Sequence, residues 1–275
     1  MKKSVIDISD LQKAAPIFKS KIGTFLGKKL LKWVCIDKVN WVHENNCHCR
    51  GAAFTTALLQ EPLINLRYEI HHKERLNSLP EGAFITVSNH PVGSLDGIIL
   101  IDIFAAIRPD FRVMVNGVLD RIDAMGDNFI PVRPDSNKQG ANLRNVNGIR
   151  ASLAHLQEGH PMGFFPSGSI SFRNRKTKEI LDANWMHNVI RLIRKANVPV
   201  YPVYFDLRNS SFFYWLGTIS WKIRTLRIPA EVFNKQGKTA QIYIAPPIPA
   251  EKIQQLTDDK DLADFLYQKT YAAKI

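Results

Sequence analysis

The chain has 275 residues, 45% of them hydrophobic and 23% charged, an ordinary globular composition that can bury a substantial core in one large or two small domains. A formal charge of +12 calls for an acidic partner, whether nucleic acid, an anionic membrane or an acidic carrier protein. No run of about 18 uncharged apolar residues occurs, and no apolar stretch follows the basic Met1-Lys2-Lys3. Neither a transmembrane helix nor a signal peptide is therefore expected, and a cytoplasmic location follows.

Residues 1–60 read as a basic helical segment, with ten Lys/Arg against four Asp/Glu, ahead of an α/β domain over 61–275. From Pro16 to Val34 the apolar positions Phe18, Ile22, Phe25, Leu26, Leu30 and Trp33 recur at steps of three and four, with lysines between them. Such a basic amphipathic helix suits either a membrane interface or packing on its own domain, and the pattern does not separate the two. Cys35, Cys47 and Cys49 form an odd, unevenly spaced set. The Cys-x-Cys spacing lacks a second ligand pair, so reduced thiols and no metal site are expected. A short helix at 52–60 and an extended stretch at Ile64–Ile70 lead into the central region.

Phe84-Ile85-Thr86-Val87 is a short apolar, β-branched run and reads as a buried strand. Ser88-Asn89-His90-Pro91 breaks it, and Gly93-Ser94 turns the chain into the apolar helix 94–107, with Ser94 as the expected N-cap and Asp96 in the first turn. His90 thus sits at the carboxyl end of a strand, and a tight loop brings Asp96 to it. An imidazole facing the positive end of a helix is free to accept a proton at neutral pH. A carboxylate on its other nitrogen fixes the tautomer and stabilises the imidazolium as it forms. Without that setting, a turn-capping histidine and a helix-capping aspartate would be the plainer account.

Strand and helix signals alternate from there. Strands are expected at Phe111–Val115, Asn128–Val132, Met162–Phe165, Val198–Phe205 and Gln241–Ile244, with helices at Asn142–Gln157, Asn184–Ala196, 250–256 and 258–272. This is the pattern of a mixed, largely parallel α/β sheet flanked by helices. In Ser210–Arg227, Phe212, Trp215, Leu216, Ile219, Ile223 and Leu226 make a helical stripe, with Phe213, Tyr214 and Trp221 outside it and Lys222, Arg224 and Arg227 at the end. Rings on several faces beside basic residues suit a helix lying among lipid head groups, so Phe18, Phe25, Trp33, Phe212, Phe213, Trp215 and Trp221 are the expected membrane contacts.

Four stretches carry a resemblance. Asn89-His90-Pro91-Val92-Gly93-Ser94-Leu95-Asp96-Gly97 resembles the first motif of the glycerolipid and lysophospholipid acyltransferase superfamily, there His-x4-Asp after a strand and here one residue longer. The longer spacing resembles a hemolysin-like branch that includes O-acyltransferases making ornithine and glycine lipids. Gly126–Arg133 resembles the second motif, in which the arginine contacts the acceptor's anionic group. Phe164-Phe165-Pro166-Ser167-Gly168-Ser169-Ile170-Ser171 resembles Phe-Pro-Glu-Gly-Thr-Arg-Ser, with Ser167 and Ile170 replacing the glutamate and arginine; Val198–Val203 resembles the last motif.

The resemblance implies an acyltransferase fold and a general base, His90, oriented by Asp96. It also implies acceptor contacts from Arg133, Ser167, Gly168, Ser169, Ser171 and Arg173. Backbone amides near Gly93, Ser94 or Gly168 are the candidate oxyanion donors. The acyl donor would be an acyl carrier protein or coenzyme A thioester, used as co-substrate with no resident cofactor. The acceptor would be a lyso-lipid: the missing glutamate favours a lyso-aminolipid over 1-acylglycerol-3-phosphate. The enzyme would sit peripherally on the inner face of the cell membrane, and nucleic acid is not an expected partner. Two other classes remain: a serine lipid hydrolase using Ser167 or Ser169, against which the missing Gly-x-Ser-x-Gly elbow counts, and a basic nucleic-acid-binding protein, for which no recognition motif is found.

Overall fold

The computed structural model describes residues 4–116, Leu119, 122–132 and 139–274. Four helices come first: α1 (Ile8–Ala14), α2 (Lys21–Trp33), α3 (Ile36–Asn46) and α4 (Gly51–Gln60). The helix expected from Pro16 to Val34 is broken at Ser20, whose hydroxyl accepts the Gly23 N–H and caps α2 after a short 3-10 turn. Val42 of α3 with Phe54 and Leu59 of α4 belongs to the same buried cluster as the sheet residues that follow.

The sheet is built from β1 (Arg67–His71), β2 (Ile85–Ser88), β3 (Arg112–Asn116), β4 (Phe129–Val132), β5 (Met162–Phe164), β8 (Val200–Asp206) and β9 (Thr239–Ile244). Between β5 and β8 a two-stranded hairpin, β6 (Phe172–Arg173) and β7 (Ile180–Leu181), stands apart. The strand order is β1-β9-β8-β2-β5-β3-β4, all neighbours parallel except β8 and β9. The mixed, largely parallel α/β sheet read from the sequence is therefore correct.

β2 lies near the centre, paired to β8 on one side and β5 on the other, and all four of its residues are buried. Both of its faces are thus covered, although the polar Thr86 and Ser88 alternate with the apolar Ile85 and Val87. The crossover helices are α5 (Ser94–Ala105), α6 (Gln139–Gln157) and α7 (His187–Ala196). α5 packs its apolar residues in one cluster with Phe84, Val113 of β3 and Val203 of β8, and Phe84, Phe104 and Phe111 form an aromatic group with centroids 5.2–6.3 Å apart. Each such contact adds about 0.5–1.5 kcal/mol beyond burial. α8 (Ser211–Ile219), α9 (Trp221–Leu226) and α10 (Ile228–Phe233) follow β8, and α11 (Ala250–Gln255) and α12 (Asp259–Tyr271) close the chain. No helix among the described residues is long and apolar enough to cross a membrane.

Candidate active site

Where β2 ends, Asn89 takes over from the strand. Its buried amide accepts the Phe205 N–H at 2.7 Å and donates to the Phe205 carbonyl at 3.0 Å, extending the β2–β8 ladder through a side chain. His90 is thereby held at the carboxyl edge of the parallel strands, where open α/β sheets place their ligands. Pro91 and Val92 lead to Gly93 at φ +90°, a conformation open to glycine alone in practice; a Cβ there would also come within 2.7 Å of Ile170 Cδ1. The expected N-cap shifts by one as a result. Gly93 caps α5, and Ser94 is its first helical residue, with a hydroxyl that is buried and unpartnered.

This tight corner brings Asp96 back to the loop. Its Oδ2 accepts the Val92 and Gly93 N–H groups at 3.1 and 3.0 Å and lies 3.0 Å from His90 Nδ1. The pair meets the distance of a hydrogen bond but not its geometry, and in this ring orientation it stands as an electrostatic contact. Asp96 is fully buried, whereas His90 keeps 20% of its side chain exposed; with Nδ1 buried, the open part of the ring is its other edge. Phe165 lies against the imidazole at 4.3 Å between centroids, with the ring planes tilted by 32°.

Three struts suspend the loop. The first is Asn89. In the second, the His90 carbonyl accepts the Ser171 N–H at 2.8 Å, and the His90 N–H donates to the buried Asp182 at 3.2 Å. In the third, Asn209 reaches the Pro91 carbonyl at 3.5 Å and accepts from Lys235 Nζ at 3.1 Å; Lys235 also pairs with Glu231 at 3.3 Å. Lys235 and Glu231 are each 1% exposed. Burial pushes the Lys235 ammonium down against the pull of Glu231, while the Glu231 carboxyl ends below its usual range because the Ser210 hydrogen bonds and Lys235 outweigh burial.

The loop resembling the third motif divides. Ser167 is buried and donates to the Ser169 carbonyl at 2.8 Å, Ser169 is exposed, and Arg173 is exposed on β6. Gly168 turns at φ +61° against the Met186 side chain. Ser171 departs from the expectation of an acceptor contact: it is 1% exposed, and its hydroxyl donates to Asp182 at 2.5 Å, because the hairpin folds it inward. Two candidate oxyanion amides are also occupied, the Gly93 N–H by Asp96 and the Gly168 N–H by the Phe165 carbonyl at 3.0 Å. Arg133 lies outside the described residues. No cluster of metal ligands occurs among the described residues, and the three cysteines are free thiols.

An acyltransferase family model matches residues 11–275. The chain belongs to the acyltransferase family. It is similar to the lyso-glycine lipid O-acyltransferase of Phocaeicola vulgatus, 28% identical over 97% of this chain and 94% of that protein. It is also similar to the lyso-glycine lipid O-acyltransferase of Bacteroides thetaiotaomicron, 26% identical over 97% of each chain. The superfamily read from the four motifs is thus the right one, and the protein is an acyltransferase.

The acyltransferase carries its exposed apolar residues largely on two segments. In α2 the inward face is glycine, with Gly23 and Gly27 set so close to Ile17, Ile8 and Phe18 that a Cβ would clash, while Ile22, Phe25 and Leu26 face outward at 54–74% exposure. On α8 and α9, Phe212, Trp215, Ile219, Trp221, Ile223 and Leu226 are exposed. Arg227 joins the two segments, its guanidinium 5.0 Å from the Trp33 ring and 5.8 Å from Phe212. Two expected contacts are corrected. Phe213 is fully buried with Leu216, since the core-facing side of α8 runs through it, and Phe18 is half-buried against α2. Sequence reasoning missed Asp182, Asn209, Glu231 and Lys235; apolar neighbours mark only Asp182 and Glu231 as lone charges, and they say nothing of the partners.

Two open depressions of about 460 and 490 Å3, lined by Arg191 and Arg194, lie beside the end of α7 that precedes β8. They are at the opposite sheet edge from His90, and Asp259 pairs with both arginines there.

Proposed function

We propose that this acyltransferase moves a fatty acyl group from an acyl thioester to the hydroxyl of a lyso-lipid at a membrane surface, with His90 as general base. The observation that carries the reading is the His90–Asp96 pair at the sheet's carboxyl edge, its carboxylate buried and held by two backbone amides. Asp96 at Nδ1 leaves the outward nitrogen to take the proton of the acceptor hydroxyl. The alkoxide oxygen attacks the thioester carbonyl, the tetrahedral intermediate collapses with cleavage of the carbon–sulfur bond, and the imidazolium returns its proton to the departing thiolate. The products are an ester and a free thiol. With the Gly93 and Gly168 amides engaged, the unpartnered Ser94 hydroxyl in the first turn of α5 is a remaining candidate donor for the oxyanion.

The names of the relatives support a lyso-glycine lipid or similar lyso-aminolipid as acceptor. The donor is an acyl carrier protein or coenzyme A thioester, both anionic and matched to a chain of charge +12. The joined aromatic and basic surface of α2, α8 and α9 supports peripheral docking on an anionic bilayer at the inner face of the cell membrane. A serine hydrolase is disfavoured, because the Ser167 hydroxyl donates to the Ser169 carbonyl and the Ser169 hydroxyl back to that of Ser167.

The test supplies purified protein with palmitoyl thioesters of acyl carrier protein and of coenzyme A, together with vesicles carrying one lyso-lipid each. Thiol release coupled to an O-acylated aminolipid, resolved by mass, is the expected result. Thiol release with free fatty acid and no acylated lipid would mean hydrolysis instead.

A further inference from the structure

One buried carboxylate at the His90 loop has no part in the chemistry above. Asp182 follows the short strand β7 and is 6% exposed. Its Oδ1 accepts the Ser171 hydroxyl at 2.5 Å and the His90 backbone N–H at 3.2 Å, while Oδ2 faces the Trp185 indole N–H at 3.4 Å. Its own N–H donates to the Tyr271 hydroxyl at 3.0 Å. No lysine or arginine pairs with it among the described residues.

We infer that Asp182 is a positioning residue for the base: a second, remote carboxylate that pins the His90 backbone and places negative charge behind the imidazole as it becomes imidazolium. This rests on the reading of His90 as general base. Both polar groups of the His90 main chain are engaged from the same side, the N–H by Asp182 and the carbonyl by the Ser171 N–H, and Ser171 is itself tied to Asp182. The ring therefore pivots on a fixed backbone between Asp96 and Phe165. A shift of about 1 Å at a reacting group lowers a rate about 100-fold, so holding this peptide has a direct kinetic consequence.

The charge itself argues for more than a strut. Burial pushes the Asp182 carboxyl above its usual range, against the opposing pull of the Ser171 and His90 hydrogen bonds and of the His90 charge. The sign follows: an acid raised on folding adds stability that is complete below the ordinary carboxylate range and is lost as the pH rises through the folded value. An amide could keep the bond to the His90 N–H through its oxygen, while its NH2 would then face the Trp185 indole N–H. The Tyr271 hydroxyl accepts the Asp182 backbone N–H, and neither it nor the phenols of Tyr204 and Tyr267, which also act on Asp182 electrostatically, carries positive charge to offset it.

Asp182→Asn, Ser171→Ala and His90→Ala proteins are compared with the parent in steady-state transfer between an acyl thioester and lyso-lipid vesicles, with melting curves at pH 7. For Asp182→Asn the expectation is a kcat lowered about 10- to 100-fold, with KM for both substrates within about twofold and a melting temperature within about 4 °C of the parent's. Ser171→Ala, which keeps the carboxylate, should lose less. An Asp182→Asn protein at the parental kcat overturns the inference. So does one in which kcat, KM and melting temperature all deteriorate together, since that marks a strut of the fold. His90→Ala separates the two levels: transfer surviving there removes the underlying reading, whereas a dead His90→Ala beside a fully active Asp182→Asn removes only the role of Asp182.

Discussion

The two edges of the central sheet each carry a histidine–aspartate pair, and they are not equivalent. At the carboxyl edge His90 Nδ1 is 3.0 Å from Asp96, whose carboxylate is fully buried and otherwise receives only backbone N–H groups. At the amino edge, before β3 and β5, His160 Nδ1 is 2.7 Å from Asp110. There the carboxylate also takes two hydrogen bonds from Arg108, at 3.0 and 2.8 Å, and 40% of the His160 side chain is exposed. On the proposed role of His90 as general base, the shorter contact is the less reactive one. Arg108 neutralises Asp110 and leaves it little to offer an imidazolium, so that cluster clamps two loops, while the charge of Asp96 is reserved for His90.

Removing each carboxylate breaks the comparison most sharply. Asp96→Asn should lower kcat by about 100- to 10,000-fold, whereas Asp110→Asn should leave the activity of folded molecules within about twofold of the parent. Steady-state transfer rates normalised to folded protein check both. Behind the carboxyl edge, Lys235→Ala strands the buried Glu231 and should cost about 3–5 kcal/mol, read as a fall in the denaturation midpoint. Among the described residues the amino edge has no counterpart to the aromatic surface of α8 and α9. Trp215→Ser with Trp221→Ser should therefore weaken binding to anionic vesicles at least about tenfold, by sedimentation, without changing the fold.

The smallest effect is expected at the amino edge. Burial pushes the Asp110 carboxyl up, but the hydrogen bonds from Arg108 and His160 outweigh it and hold the group below its usual range. Its contribution is present above the ordinary carboxylate range and lost as the pH falls through the lowered folded value. Asp110→Asn should lower the melting temperature by about 2–4 °C at pH 7, and the difference from the parent should shrink in acid.

What was legible in the sequence was local. β2, the breaker cluster and α5 follow one another within 22 residues, so a strand run, a proline, a glycine and an apolar helix sufficed to place His90 beside Asp96. The struts were not legible. Asp182 is 92 residues from His90, and Asn209 is 118 from Pro91; no periodicity links a lone buried acid or amide to its partner. The membrane contact expected of Phe213, a ring outside the stripe drawn over 210–227, failed because α8 has a core-facing side: Phe213, Tyr214 and Leu216 turn inward while Phe212, Trp215 and Ile219 turn outward. The hairpin β6–β7, two residues on each side, is too short to show any alternation.

The most direct test sets the two histidines side by side in the same transfer assay. His90→Ala should lose at least about a thousandfold in kcat with an unchanged melting curve, while His160→Ala keeps the parental kcat per folded molecule. Transfer by His90→Ala at the parental rate would contradict the account.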